Sequence, residues 1–360
     1  MAARRPIGGA AAPPVAIDAR AAVRAQIGGV ERLAREMAVR LPRLAPDRYR
    51  VISPHPRLAH RAGHVWEQLA LPGRTAAQTL IYCPANLAPV VSGRVVVVIH
   101  DLAALRHPQA YSRSYVAYQR LMLPAVARRA RLVITVSEFS RRELLEHLGL
   151  EESRVEVIPE GVDERLGAVG EAEVASVARR HRLARPYVLA LGTVSARKNL
   201  GVLELAARRL AAEGVELVLA GSDRHYLRAG RLGLRRLGYI AEADLRGLYA
   251  GARALVMPSR YEGFGLPCLE AMACGTPVVA ARCGALPETV GDAGLLIDPD
   301  DAEGFADALT AVSGDEKMRA RLRAAGRRRA SAFPWSRTAA LTDAALARLL
   351  ALDPPGQRSV

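Results

Sequence analysis

Two carboxylates eight positions apart, Glu262 and Glu270, stand in the stretch Pro258-Ser259-Arg260-Tyr261-Glu262-Gly263-Phe264-Gly265-Leu266-Pro267-Cys268-Leu269-Glu270. Two glycines turn the chain between them. Pro267 suits the first turn of a helix, and Gly275-Thr276-Pro277 stops that helix. The amides of Phe264, Gly265 and Leu266 lie at the helix entrance, where unpaired N–H groups carry partial positive charge and can meet an anion. Glu270 falls about one turn inside the helix. A carboxylate there cannot favour a phosphate by charge, but it can accept two hydrogen bonds from a vicinal diol such as a ribose. The stretch therefore asks for a nucleotide. A hydrolase pair flanking a glycosidic bond and two ordinary surface carboxylates are the other readings of the same residues.

A second candidate set is cationic. The 51 basic residues comprise 49 arginines and only two lysines, Lys198 and Lys317. In so arginine-biased a chain, a lysine in Ser195-Ala196-Arg197-Lys198-Asn199 is a specific choice. An ammonium is a compact charge on a flexible stem and suits a phosphate oxygen approached at variable angle, while the neighbouring Arg197 offers a rigid fork. The alternative is a solvated basic turn. His100-Asp101 ends a run of branched residues, and Gly28-Gly29 lies where a strand gives way to a helix, so that backbone can approach a phosphate closely. A histidine satisfied by a neighbouring carboxylate and a simple turn are the structural readings of those two places.

The elements that must hold these residues alternate. Val15–Arg20, Val51–Ser53, Arg94–Ile99, Arg131–Val136, Tyr187–Leu191, Val215–Ala220, Ala254–Met257 and Pro277–Ala281 read as strands, several apolar throughout as in a sheet buried on both faces, and residues 154–163 close the first half. Helical patterns separate them. That alternation predicts an α/β fold of two doubly wound, Rossmann-like parallel-sheet domains facing an interdomain cleft, with ligands beyond the carboxyl ends of the strands. Residues 65–72 and 82–86 read as loop and short elements, with Trp66 more often a buried aromatic than a sugar platform. Ser140 and Glu143 have capping-box spacing. Residues 1–14 read as a disordered tail, 15–180 as the first domain, 181–335 as the second, and 336–350 as a helix returning to the first.

A chain of 360 residues, 50% hydrophobic and 24% charged, is globular and long enough for two domains. No uninterrupted apolar run predicts a transmembrane helix or a secretory signal. Cys83, Cys268, Cys274 and Cys283 lack metal-ligand spacing, so no metal is expected and a reducing cytoplasm fits. The net charge of +15 admits nucleic acid, an anionic membrane surface or phosphorylated substrates, or simply a solvated arginine-rich surface. Aromatic content of 4% and the lack of a recognisable module argue against nucleic acid.

The segment Glu262-Gly263-Phe264-Gly265-Leu266-Pro267-Cys268-Leu269-Glu270 resembles in full the signature of retaining glycosyltransferase family four, the group 1 glycosyltransferases of GT-B fold, and the likeness extends over roughly residues 15–350. The resemblance implies a nucleotide-diphosphate sugar donor and a glycan, lipid-linked or small-molecule acceptor. It assigns Glu270 to the ribose diol, Glu262 to a donor-sugar hydroxyl and His100 to a place against the sugar. Arg197 and Lys198 become a diphosphate clamp. Gly28 and Gly29 match the family's N-terminal glycine loop, and Gly238, Tyr239 and Ile240 the stretch whose backbone meets the nucleobase. Glu160 stands where the family usually has asparagine, and Glu288 is family-typical but structural. No cofactor and no metal are implied, and transfer is expected on the front face, without a protein nucleophile. His100-Asp101-Leu102 and Tyr82–Asn86 look most like mannosyltransferase members, hence GDP-mannose, with polysaccharide, glycolipid or natural-product glycans as settings and the cytoplasmic face of a membrane as a place. The rivals are a nucleotide-sugar epimerase of the same architecture and a non-catalytic nucleotide-sugar-binding protein.

Overall fold

The computed structural model describes residues 14–352 apart from 25, 56, 58–62, 194 and 222–233. The expected tail over 1–14 thus lies, except for Pro14, outside the described residues. The strands are β1 Val15–Asp18, β2 Tyr49–Ile52, β3 Leu80–Cys83, β4 Val95–Val98, β5 Leu132–Thr135 and β6 Val155–Val157. They continue with β7 Tyr187–Leu191, β8 Glu216–Ala220, β9 Arg235–Gly238, β10 Ala254–Met257, β11 Val278–Ala281 and β12 Leu295–Ile297. Two six-stranded sheets result, in the orders β2-β1-β3-β4-β5-β6 and β12-β11-β10-β7-β8-β9. The α/β class with two parallel sheets is as the alternation predicts.

The apolar runs explain which strands lie inside. β4 is four valines, all buried, and β5, β10 and β11 are buried along their whole length. Branched side chains buried on both faces are what helices on either side of a parallel sheet require. In the second sheet the order reverses between β7 and β10, which pair in parallel with Ala254 opposite Val188. Such a reversal leaves a crevice at the carboxyl ends of the two strands, because the connections that follow them run to opposite sides.

The described residues divide into two compact units, one drawn from 1–97, 129–132 and 339–360, the other from 98–128 and 133–338. The first unit ties its late segment to β2, since Asp343 accepts from both Arg48 and the Tyr49 hydroxyl. Its interior holds a buried ion pair, Arg20 Nη2 to Glu67 Oε2 at 2.6 Å, and a buried Trp66, as expected of that residue. The second unit contains every helix from Glu138–Leu148 to Glu316–Ser331. At its far end Gly161 packs directly on Trp335, and the Val162 amide donates to Phe333 O at 2.7 Å.

Three local expectations need correction. Tyr82 and Cys83, read with 84–86 as loop and short elements, belong to β3, in the interior of the first sheet. Four residues ending at Pro84 are too few for a period to show. The short edge strands β6, β9 and β12 are not read as strands from sequence. Ser140 is not a helix cap: the helix Glu138–Leu148 starts earlier, capped by Ser137, whose Oγ accepts the Ser140 amide at 3.0 Å. Among the described residues no helix is long and apolar enough to cross a membrane.

A side chain at Gly161 would place its Cβ 2.5 Å from the Trp335 backbone, whereas one at Gly167 meets nothing within 4 Å. Gly161→Ala is expected to destabilise the protein by about 1–3 kcal/mol, because backbone must move. Gly167→Ala is expected to be neutral or slightly stabilising. Urea unfolding of the two variants beside wild type checks the contrast, and equal midpoints would contradict this packing.

Candidate active site

The crevice between β7 and β10 collects the cations and the first motif carboxylate. After β7 the chain makes a short 3-10 turn, Ala196–Lys198, and after β10 it runs into the Glu262 loop. The two loops are stitched by their main chains, with the Arg260 amide donating to Arg197 O at 2.9 Å. Asn199 Nδ2 adds bonds to Pro258 O and Pro299 O. The lysine stem lies over Gly192, at the end of β7. Beside it is a small opening lined by Gly192, Lys198, Leu219, Met257 and Ser259.

At the centre Lys198 Nζ donates to Glu262 Oε1 at 2.7 Å, and Arg197 Nη1 lies 3.2 Å from Glu262 Oε2. Arg197 also donates to Tyr261 O. Glu262 is buried, so burial pushes its carboxyl up, but Lys198 and then Arg197 outweigh that and hold it at about 2. The Arg197 guanidinium is pushed further above its usual range, burial being outweighed by Glu262 and by the nearby Tyr111 and Asp101. One carboxylate facing two cations leaves the cluster with a net positive charge, suited to a more highly charged anion.

His100 meets the same loop through its backbone. A Cβ on Gly263 would sit 2.4 Å from His100 O, so only glycine permits this approach. Ser140 Oγ donates to His100 O at 2.9 Å and lies 3.2 Å from Gly263 O, while Ser137 Oγ donates to Gly263 O at 2.6 Å. The imidazole Nδ1 of His100 is 2.9 Å from Glu160 Oε1, with both side chains buried. Tyr261 accepts the Leu102 amide on its hydroxyl and donates toward Glu143 Oε2 at 3.3 Å. Its hydroxyl is pushed well above its ordinary value by burial and by Asp101.

Glu270 sits in the helix Leu266–Ala273, buried, and accepts a hydrogen bond from the Tyr249 hydroxyl at 2.8 Å. Thr276 fixes Tyr249 in turn by donating to its carbonyl. Gly265 is the cap of that helix, and Phe264 and Leu266 are buried beside it, Phe264 against Phe333 with its carbonyl bound by Thr289 Oγ1. Glu288 is structural as read from sequence, its carboxylate accepting the Glu138 and Phe139 amides at a helix start.

The structure thus brings His100, Arg197, Lys198, Glu262 and the helix entrance together. Gly238, Tyr239 and Ile240 lie apart from these contacts, at the end of the edge strand β9. Gly238 O accepts the Gly221 amide, Tyr239 is 44% exposed and Ile240 is buried. Gly28 and Gly29 belong to the other unit. There Gly28 caps a helix and its amide donates to Glu31 Oε2 at 3.0 Å, so that N–H is already engaged by a carboxylate. Sequence reasoning missed three contributors, Tyr261, Ser140 and Glu160. Only Glu160 carried a signal, as an acid where asparagine is usual.

Comparison with known proteins places the chain in a family. A family model described as glycosyl transferases group 1 matches residues 185–315, and one described as glycosyltransferase family 4 matches residues 77–166. The chain is 35% identical over 255 residues to the O-antigen chain mannosyltransferase B of Escherichia coli, covering 67% of each protein. It is 28% identical to the serotype-specific mannosyltransferase WbdA of the same organism but spans only 34% of that protein's length. Among solved structures it is similar to sucrose-phosphate synthase of Thermosynechococcus elongatus, with TM-score 0.75 and 23% identity over 95% of this chain and 100% of that one. Anabaena HepE, solved with UDP-glucose, gives TM-score 0.71 and 22% identity over 93% and 99%. These two likenesses show the GT-B fold.

The charge cluster makes a prediction about pH. The folded Glu262 carboxyl, at about 2, lies below its ordinary value of 4.5. The stability this contributes is therefore complete above about pH 4.5 and lost as pH falls through about 2, and is worth on the order of 3 kcal/mol. Urea unfolding between about pH 5 and pH 2.5 is expected to show a steeper loss for wild type than for Glu262→Gln. Parallel curves would contradict the pairing.

Proposed function

The chain belongs to the group 1, family 4 glycosyltransferases, and from that premise we propose that it is a retaining, metal-independent hexosyltransferase using a nucleotide-diphosphate sugar. The observation that carries the proposal is the pairing of Arg197 and Lys198 with Glu262. In the ligand-free protein the carboxylate neutralises part of a charge that suits a diphosphate. When donor binds, the two cations turn to the phosphate oxygens and Glu262 takes a sugar hydroxyl, with the helix-entrance amides near Gly265 completing the anion site. These two cations supply the charge stabilisation for which other transferases use a divalent ion.

Glu270 accepts from the ribose diol, steadied by Tyr249, and His100 lies against the donor sugar. Gly238, Tyr239 and Ile240 offer main chain to the base, and the resemblance assigns Gly28 and Gly29 to donor or acceptor contact. In this reading residues 15–180 serve the acceptor and 181–335 the donor. The bond from the anomeric carbon to the phosphate oxygen breaks, and the acceptor oxygen bonds to the same face while its proton passes to the departing phosphate. No side chain is made a nucleophile. Positioning and electrostatics account for the rate.

The similarity to mannosyltransferases supports mannose as the sugar and GDP as its carrier, with cell-surface polysaccharide as the setting. HepE was solved with UDP-glucose, which keeps UDP within the same test. The basic surface supports peripheral contact with anionic lipid on the cytoplasmic face.

Calorimetric titration with GDP, UDP and ADP and their hexose conjugates is the direct test, and one nucleotide is expected to bind. Glu270→Ala is expected to weaken that binding by about tenfold or more, through loss of two hydrogen bonds to the diol. Lys198→Ala is expected to lower kcat by about a hundredfold or more, since it faces charge that grows as the bond breaks. Product of unchanged anomeric configuration and insensitivity to EDTA are expected. Full binding by Glu270→Ala, or an inverted product, would overturn the assignment.

A further inference from the structure

His100 and Glu160 are 60 residues apart, and the sheet brings them to one level. The Ile158 amide donates to Thr135 O at 2.8 Å, and Thr135 Oγ1 donates to Ile99 O at 2.8 Å. The Ile99 amide donates to Ile134 O at the same distance. Each of the two side chains follows shortly on one of these bonded residues. His100 is fixed besides by Ser140 Oγ and by the Gly263 backbone. The contact of Nδ1 with Glu160 Oε1 at 2.9 Å is therefore set by three strands rather than by two flexible side chains.

An ionised carboxylate only accepts hydrogen bonds, so Nδ1 must carry the proton in that contact. Which ring nitrogen is protonated in a histidine is decided by the partner of the other, and a carboxylate partner also fixes the ring plane. Burial adds to the constraint. Glu160 is 3% exposed and His100 6%, and a buried carboxylate is strongly disfavoured unless it is hydrogen-bonded.

We propose that Glu160 is a positioning residue for His100: it holds the imidazole protonated on Nδ1, so that Nε2 is the ring nitrogen with which His100 meets the donor. This rests on the transferase reading for the role of His100 at the donor, while the state of the ring stands independently. The carboxylate in the place where asparagine is usual is then a functional substitution, and Glu160 works through His100 without touching substrate.

The test uses the full chain with [15N]histidine, two-bond 1H–15N spectra, and His100→Ala to assign the ring. Wild type is expected to show His100 protonated on Nδ1. Glu160→Met, similar in length but with only a weakly accepting thioether, is expected to shift the ring toward the Nε2–H form and to lower kcat by roughly tenfold or more, with donor KM changed by less than about threefold. In a His100→Ala background the same replacement is expected to cost less than about twofold, since residues acting as one unit are not additive. Glu160→Gln retains an acceptor and is expected to retain the Nδ1–H form. A wild-type ring protonated only on Nε2 would overturn the inference even if Glu160→Met did not fold. So would an unchanged tautomer in Glu160→Met, or equal losses in both backgrounds. A wild type that transfers no sugar would sink the transferase reading instead, and the spectra would still decide what Glu160 does.

Discussion

Lys198 and Arg197 both reach the Glu262 carboxylate, at the carboxyl ends of two neighbouring parallel strands, and the surrounding structure is arranged to keep them there. Taking such charges out of water is unfavourable by several kcal/mol per ion unless each finds a partner. The Glu262 carboxylate supplies that partner to both cations. The pairing needs β7 and β10 side by side, with the chain reversing its direction of winding between them. It also needs the two loops to share main-chain hydrogen bonds, as Arg260 and Arg197 do.

The absence of a side chain at Gly263 is the second constraint. The His100 carbonyl approaches so closely that an alanine would collide with backbone, which no rotamer change relieves. That approach carries His100 to the motif loop and lets two serines of one helix bond both main chains. The helix is in turn capped from the opposite direction by Glu288, whose negative charge complements the positive helix start. Glycine, serines and acid form one device that holds a strand end against a loop.

The arginine-rich composition acquires a structural side. Arg154 donates to the Ala127 and Arg128 carbonyls, Arg235 to those of His181 and Arg182, Arg319 to those of Val312 and Ser313, and Arg329 to those of Glu288 and Thr289. Each of these carbonyl pairs lies at or just past a helix end, where unpaired carbonyls carry partial negative charge. Several other arginines are spent on ion pairs, such as Arg209 with Glu303 and Asp307. Part of the arginine complement is thus anchored to the fold.

The sequence by itself determined the α/β class, most strands, the motif helix, and the identity of Glu262, Glu270, His100, Arg197 and Lys198 as residues of interest. Long apolar runs and a glycine–proline punctuated loop are local signals, and the scarcity of lysine made one of two stand out. Four-residue β3 and three-residue β12 were too short to show a period, and the cap of the Glu138 helix fell on Ser137 because that serine, unlike Ser140, has extended backbone geometry. Tertiary structure alone decided that Glu262 faces both cations, that Gly263 touches His100, that Tyr249 steadies Glu270, and that Glu160 lies on the His100 ring. Those pairings span roughly 20 to 160 positions, and their geometry is set by which strands lie side by side, a property that the order of residues along a chain does not display.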